Sequence, residues 1–261
     1  MMEWERGAMD HGFLIRVLGP VDVLTADGVR TIGSRNERAL LAGLVLAAGR
    51  SVPASLLRDA VWGEDPPPSA DASIHTYVSR LRQLVGHDTI DRTDHSYRLV
   101  VRRDEVDATR FEDLVDTATR ARDDPTRCAG LCRTALGLWR GVPFGDLGDG
   151  EAFRLEGFRL EELRLVVMEL ALGAEIELGH HEIAAAELET AVQEHPYRER
   201  LWYLLAEALR RDGRRIEALR ACDRLRRVLA DAGLDPDPEL VELERRIAGR
   251  APGSTPHHGE P

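Results

Sequence analysis

Apolar positions along the first hundred residues change their period twice. Residues 13–18 (Phe-Leu-Ile-Arg-Val-Leu) and 21–24 (Val-Asp-Val-Leu) are β-prone runs separated by Gly19-Pro20, and Asp27-Gly28 reads as a hairpin turn before a third run at 29–32. The spacing then turns helical. Ser34, with Glu37 three residues on, has the capping-box spacing and predicts a helix over 35–48 closed by Gly49. A second short helix is expected over 54–62, stopping at Gly63 and the Pro66-Pro67-Pro68 run, and a third over 69–85, ended by Gly86. Residues 89–92 and 97–101 then read as two strands joined by the polar tip Thr93-Asp94-His95-Ser96. Strands, three helices and a terminal hairpin, in that order, are the layout of a winged helix-turn-helix.

From Val106 onward strand signals vanish. Segments of 12–18 residues carry apolar side chains at helical spacing: Phe111, Leu114, Val115 and Ala118, then Leu131, Ala135, Leu138 and Trp139, then Leu160, Leu163, Val167 and Leu170. Breaks fall at Asp124-Pro125, 141–150, Gly179, Pro196, Gly213 and Asp235-Pro236. Gly179 with Ala184 and Gly213 with Ala218 repeat 34 residues apart, the period of a tetratricopeptide helix pair. The expected fold is therefore an α+β N-terminal winged helix-turn-helix followed by an all-α, TPR-like helical-repeat domain. The expected divisions are a flexible 1–12, a winged helix over 13–102, a helical domain over 103–248 and a disordered Pro/Gly/Ser/His-rich tail over 249–261.

Composition narrows the chemistry. All 35 basic residues are arginine, which removes the P-loop lysine, the kinase lysine and Schiff-base chemistry. The net charge of −11 is uneven: 13–102 carries +1 and 103–261 carries −10. Sequence-blind binding to polyanions is thereby disfavoured, while local DNA contact by the first module is not. Three cysteines make no disulfide framework, and no signal sequence or membrane span is seen, so the expected location is cytoplasmic and, for a DNA binder, nucleoid-associated.

The third expected helix is the most informative segment. Ile74, Val78, Leu81 and Val85 share one face and should pack inward. The other face presents Ala72, Thr76, Ser79, Arg80 and Gln83, flanked by Ser73, His75, Tyr77 and Arg82. Small and hydrogen-bonding groups let a helix lie close in a major groove. Arg80 offers a bidentate fork to a guanine edge, and Gln83 or Thr76 a shorter contact. His75, Tyr77 and Arg82 are placed for phosphates, which position without specifying. On this helix alone, solvation of a surface helix explains Arg80 and Arg82 equally well.

A wider pattern bears on that choice. Residues 13–23, Arg38-Ala39-Leu40-Leu41-Ala42, 59–67 (Asp-Ala-Val-Trp-Gly-Glu-Asp-Pro-Pro) and Tyr77-Val78-Ser79-Arg80-Leu81-Arg82 resemble the SARP family of actinobacterial antibiotic regulators. Further along, 106–111, 135–141, 161–165, 194–199, 213–219 and 229–236 resemble the bacterial transcriptional activator domain of the same family. The strings cover roughly 13–248 in order. The resemblance implies an OmpR-type winged helix that binds direct repeats in double-stranded DNA near the −35 element of promoters. It also implies recruitment of RNA polymerase holoenzyme, including its sigma factor, to a secondary-metabolite (antibiotic) gene cluster, by a homodimer formed at least on DNA. Thr76, Ser79, Arg80 and Arg82 map onto the recognition-helix contact positions, and Arg35 and Arg38 onto the DNA backbone. In the wing, Asp94-His95-Ser96-Tyr97-Arg98 stands where the family carries Pro-Gly-Tyr-Arg or Gly-x-Gly-Tyr-Arg, leaving Arg92 and Thr93 as the wing candidates. Without a Walker lysine, the chain reads as a small stand-alone member.

Other candidates weigh less. Cys128 and Cys132 share a helix face, but no further metal ligands accompany them, so buried small side chains are the favoured reading. His180-His181 and His257-His258 read as solvated, Glu161-Glu162 and Glu242/Glu244 as solvent faces, and 145–150 as a flexible loop. No catalytic constellation, metal site or cofactor motif emerges, so no enzymatic activity or cofactor is expected. The alternative reading is a helical-repeat interaction module whose winged helix is a scaffold that does not bind DNA.

Overall fold

The computed structural model describes residues 12–148 and 150–249. The chain forms two compact units, one comprising Met1–Thr117 with Leu131–Val167, the other Ala118–Gly130 with Met168–Pro261. The expected termini, 1–12 and 249–261, fall almost wholly outside the described residues.

In the first unit, strands β1 (Phe13–Arg16), β2 (Asp22–Thr25) and β3 (Gly28–Thr31) form an antiparallel sheet in the order β1-β2-β3. The ladder closes at Thr25↔Gly28, so Ala26-Asp27 makes the turn instead of Asp27-Gly28. Helix α1 (Arg35–Leu46) starts with the expected capping box: the Ser34 hydroxyl accepts the Glu37 amide and the Glu37 carboxylate accepts the Ser34 amide. Strand β4 (Val52–Pro53) leads into α2 (Ala54–Trp62), and α3 (Ala70–Val85) follows the proline run. Helices α1, α2 and α3 pack on one another through Leu40, Leu44, Leu57, Val61, Ile74, Val78 and Leu81, all buried.

Strands β5 (Ile90–Thr93) and β6 (Ser96–Leu99) form the wing, and β4 joins β6 to give the order β4-β6-β5. The pairing runs to Thr93↔Ser96, one residue beyond the expected strand ends, because the turn has two residues instead of four. Asp94 enables this by adopting φ +48°, the left-handed region that aspartate tolerates better than most side chains.

The first unit also contains residues expected to belong to the helical domain. Helices α4 (Asp107–Arg120), α5 (Pro125–Leu136) and α6 (Glu151–Glu177) begin or end in it. Val106 bridges Ile15 in parallel, so one β contact persists past the point where strand signals were expected to stop. Asp107 is 1% exposed and accepts the amides of Val17 (2.8 Å) and Leu18 (3.0 Å). Arg140 bonds the Asp22 carboxylate (3.1 Å), which also takes the Arg16 guanidinium (2.6 Å). The Arg140 and Phe144 amides donate to the Leu18 and Val17 carbonyls. The expected flexible loop over 145–150 is corrected at its start. There Gly145–Leu147 is a 3₁₀ turn with Leu147 fully buried, anchored by Phe144 and by Asp146 on Arg38.

The second unit is helical, with α7 (His181–Glu194), α8 (Glu199–Arg211), α9 (Arg215–Asp231) and α10 (Pro238–Ala248) packing in succession. The 34-residue echo is a repeated helix-turn. Gly179 (φ +89°) and Gly213 (φ +78°) take the left-handed position after a helix, and the amides of His180 and Arg214 donate back to Glu175 and Leu209. Ala184 and Ala218 are fully buried at the same distance past each turn, and Leu188 and Cys222, also 34 apart, lie in the same core. Cys128 and Cys132 are buried. His180 is solvent-facing and bonds Glu175, whereas Glu244 is drawn onto Arg226 at 2.6 Å. His257-His258 lies outside the described residues. No described helix is long and apolar enough to cross a membrane.

Candidate nucleic-acid interface

Helix α3 presents the face expected of it. Ile74, Val78, Leu81 and Val85 are buried, while His75, Thr76, Ser79, Arg80 and Gln83 are exposed. Their residue types leave a shallow polar surface bearing one long cation. The Thr76 hydroxyl donates to the Ala72 carbonyl (3.1 Å), and its oxygen keeps lone pairs that can still accept. Tyr77 is half-buried and stacks on Trp62 of α2, with ring centroids 6.2 Å apart.

Three of the expected contact arginines donate hydrogen bonds within the chain that sequence reasoning missed. Arg80 donates from Nη1 to Glu37 of α1 at 2.7 Å. Arg82, half-buried, donates from Nε (3.0 Å) and Nη2 to the Ile90 carbonyl, so its guanidinium clamps the end of α3 to the wing. Arg38 donates to Asp146 (2.6 Å) and to the Ile32 carbonyl (3.3 Å), and the guanidinium holds the Asp146 carboxyl below its ordinary range. The capping-box spacing could have flagged a fixed Glu37 carboxylate. No local signal marks Ile90 or Asp146 as partners, which lie 8 and 108 residues from theirs.

Arg35, in the first turn of α1, is exposed, and its charge also reaches Asp146. In the wing, Arg92 and Thr93 are both exposed. The wing tip is tied down because the Ala54 amide, at the start of α2, donates to the His95 carbonyl at 2.8 Å. Between α2, α3 and the wing lies a cavity of about 450 Å³ lined by Arg58, His75, Arg92, His95, Asp71 and Asp94, among others. His75 Nδ1 and the Tyr97 hydroxyl meet at 2.5 Å on its wall, and burial pushes the Tyr97 hydroxyl above its ordinary value. The groove is of mixed sign: Arg58 and Arg92 line it, but Asp71 is within 3.6 Å of Arg58 and Asp94 sits at the wing turn. Among the described residues, no group of three or more His, Cys, Asp or Glu side chains is placed to hold a metal ion.

Residues 29–97 match the family described as "Transcriptional regulatory protein, C terminal", and residues 106–248 match "Bacterial transcriptional activator domain". The regulatory protein AfsR of Streptomyces griseus is 42% identical over 239 residues, spanning 88% of this chain and 24% of AfsR. The chain thus spans about a quarter of that relative. The regulatory protein DnrI of Streptomyces peucetius is 32% identical over 253 residues, covering 92% of this chain and 93% of DnrI. A solved structure of Mycobacterium tuberculosis EmbR, in complex with a low-affinity phosphopeptide, superposes with a TM-score of 0.84 at 32% identity, over 93% of this chain and 66% of that one. An exposed recognition-type helix and wing, both domain matches in order, and a relative aligned over nearly its whole length lead to one conclusion: the chain belongs to the SARP family of transcriptional regulators.

Proposed function

We propose that the chain is a sequence-specific DNA-binding transcriptional activator of a secondary-metabolite (antibiotic) gene cluster. In this reading it binds promoter direct repeats near the −35 element and recruits RNA polymerase holoenzyme, with no catalytic step of its own. The observation that carries the reading is the exposed face of α3, where Thr76, Ser79, Arg80 and Gln83 stand outward above a buried apolar stripe. Thr76 and Gln83 serve as short groove contacts and Arg80 as the guanine reader. Tyr77, His75, Arg35 and Arg38 face the DNA backbone, and Arg82 supports the helix-wing junction beside it. Arg92 and Thr93 meet the adjacent groove from the wing.

One recognition helix per major groove means that two protomers engage two repeats about one helical turn apart, and their modest individual affinities combine. The acidity of 103–261, a net of −10, suits contact with basic parts of the polymerase such as the sigma factor. The test is a footprint of the purified protein on its neighbouring promoters, at about 150 mM salt with competitor DNA, because affinity without a stated salt concentration is uninterpretable. Protection of two direct repeats beside a −35 element is expected. No protection by the folded protein would shift the weight to an interaction module whose winged helix does not bind DNA.

A further inference from the structure

Glu37 is placed to aim Arg80. It lies in the first turn of α1 with its side chain 6% exposed, so its carboxylate has little room to move. Oε2 accepts the Ser34 amide at 3.2 Å, while the Glu37 amide donates to the Ser34 hydroxyl at 3.2 Å, fixing the side chain at both ends. Gly33 stands against the same oxygen, where a Cβ would come within 3.3 Å. Oε1 is left for α3, and it takes one N–H of the Arg80 Nη1 at 2.7 Å. The rest of the Arg80 side chain is open, 61% exposed, on the face that carries Thr76, Ser79 and Gln83. The pair therefore joins a rigid buried acceptor to an otherwise mobile surface cation, unlike an exposed ion pair in which both chains wander.

We infer that Glu37 is a specificity-determining positioning residue: it holds the Arg80 guanidinium by one amino group and presents the Nε–Nη2 edge to a guanine. The inference rests on the DNA-binding reading above. An unrestrained arginine spreads over many rotamers and is drawn to the phosphates, whose charge is greater than that of a base edge. A carboxylate beneath it does two things. It removes rotamer freedom before DNA arrives, and it counters the pull of the backbone, so the remaining donors go to the base. Glu37 itself touches no DNA. Its loss should relax sequence discrimination without weakening overall adhesion.

The test uses the full chain and a duplex that the wild-type protein selects from a random pool, with each guanine replaced in turn by 7-deazaguanine. Wild type should lose roughly 5- to 150-fold in affinity at the guanine read by Arg80. Glu37→Gln keeps an oxygen for the Ser34 amide and removes the charge. It is expected to cut the loss at that guanine to less than about threefold while binding to unrelated duplex stays equal or tightens. In an Arg80→Ala background, Glu37→Gln should have no further effect on discrimination.

A Glu37→Gln protein that discriminates as wild type does would overturn the inference and leave the DNA-binding reading standing. A wild type that selects a duplex but shows no sensitive guanine would overturn the inference alone, and one that selects no duplex at all would overturn the DNA-binding reading and the inference with it. If Glu37→Gln does not fold, the order of the Arg80 Nε–H in the free wild-type protein, read by nitrogen relaxation, takes its place. An ordered group supports the inference; an order parameter below about 0.6 refutes it.

Discussion

Asp107→Ala tests how far the first strands depend on a residue some ninety positions away. The Asp107 carboxylate is buried, accepts the Val17 and Leu18 amides at 2.8 and 3.0 Å, and lies 3.7 Å from Arg140 Nη2. Alanine leaves two buried backbone donors without an acceptor, at about 1–3 kcal/mol each, so the substitution should cost about 2–6 kcal/mol. That cost depends on pH in a direction the structure dictates. Burial pushes the Asp107 carboxyl up from an ordinary 3.8 to about 6, against the opposing pull of the Val17 and Leu18 amides and Arg140. Because the folded value is raised, the unfolded chain releases its proton first as pH rises. The contribution is fully present below about pH 4 and is lost as pH rises through about 6. Between pH 5 and pH 7 the wild type should therefore lose about 1 kcal/mol that the alanine variant does not, and the gap between them should narrow by that amount. Urea unfolding at both pH values reads the gap. Amide exchange at Val17 and Leu18 reads it locally, as roughly a 30-fold or greater loss of protection for 2 kcal/mol. A gap that is constant or widens with pH would refute the reasoning.

Three further outcomes are expected. Arg35→Ala should weaken binding to all duplexes alike and reduce the slope of log affinity against log salt by about one, measured by anisotropy titration. Asp94→Asn keeps a residue that tolerates the φ of +48° and removes a negative charge from the wing turn, so if the wing meets DNA as proposed, binding should tighten by roughly threefold at about 50 mM salt and less at about 200 mM. Gly19→Ala forces a side chain onto φ +149° and brings its Cβ within 3.0 Å of Arg140 Cβ and 3.2 Å of the Arg140 backbone; thermal unfolding should show a loss of about 2 kcal/mol or more.

By itself the sequence determined the local features. The apolar stripe of α3, the Ser34–Glu37 cap, the hairpin signals and the 34-residue Gly–Ala echo each arise from interactions within a few residues or one helical turn. Periodicity and turn chemistry report such interactions directly. The outward residues of α3 were legible for the same reason, since they are what remains when the buried stripe is removed. Tertiary structure alone decided what those residues touch. Arg80 meets Glu37 across 43 positions, Arg38 meets Asp146 across 108, and Leu18 meets Asp107 across 89. The same packing groups Leu131–Val167 with Met1–Thr117 in one compact unit, a grouping that no local pattern announces. Such partners depend on how whole elements stack. A buried carboxylate needs a donor, and a guanidinium an acceptor, within about 3 Å, but the chain's own pattern does not say which distant element supplies it.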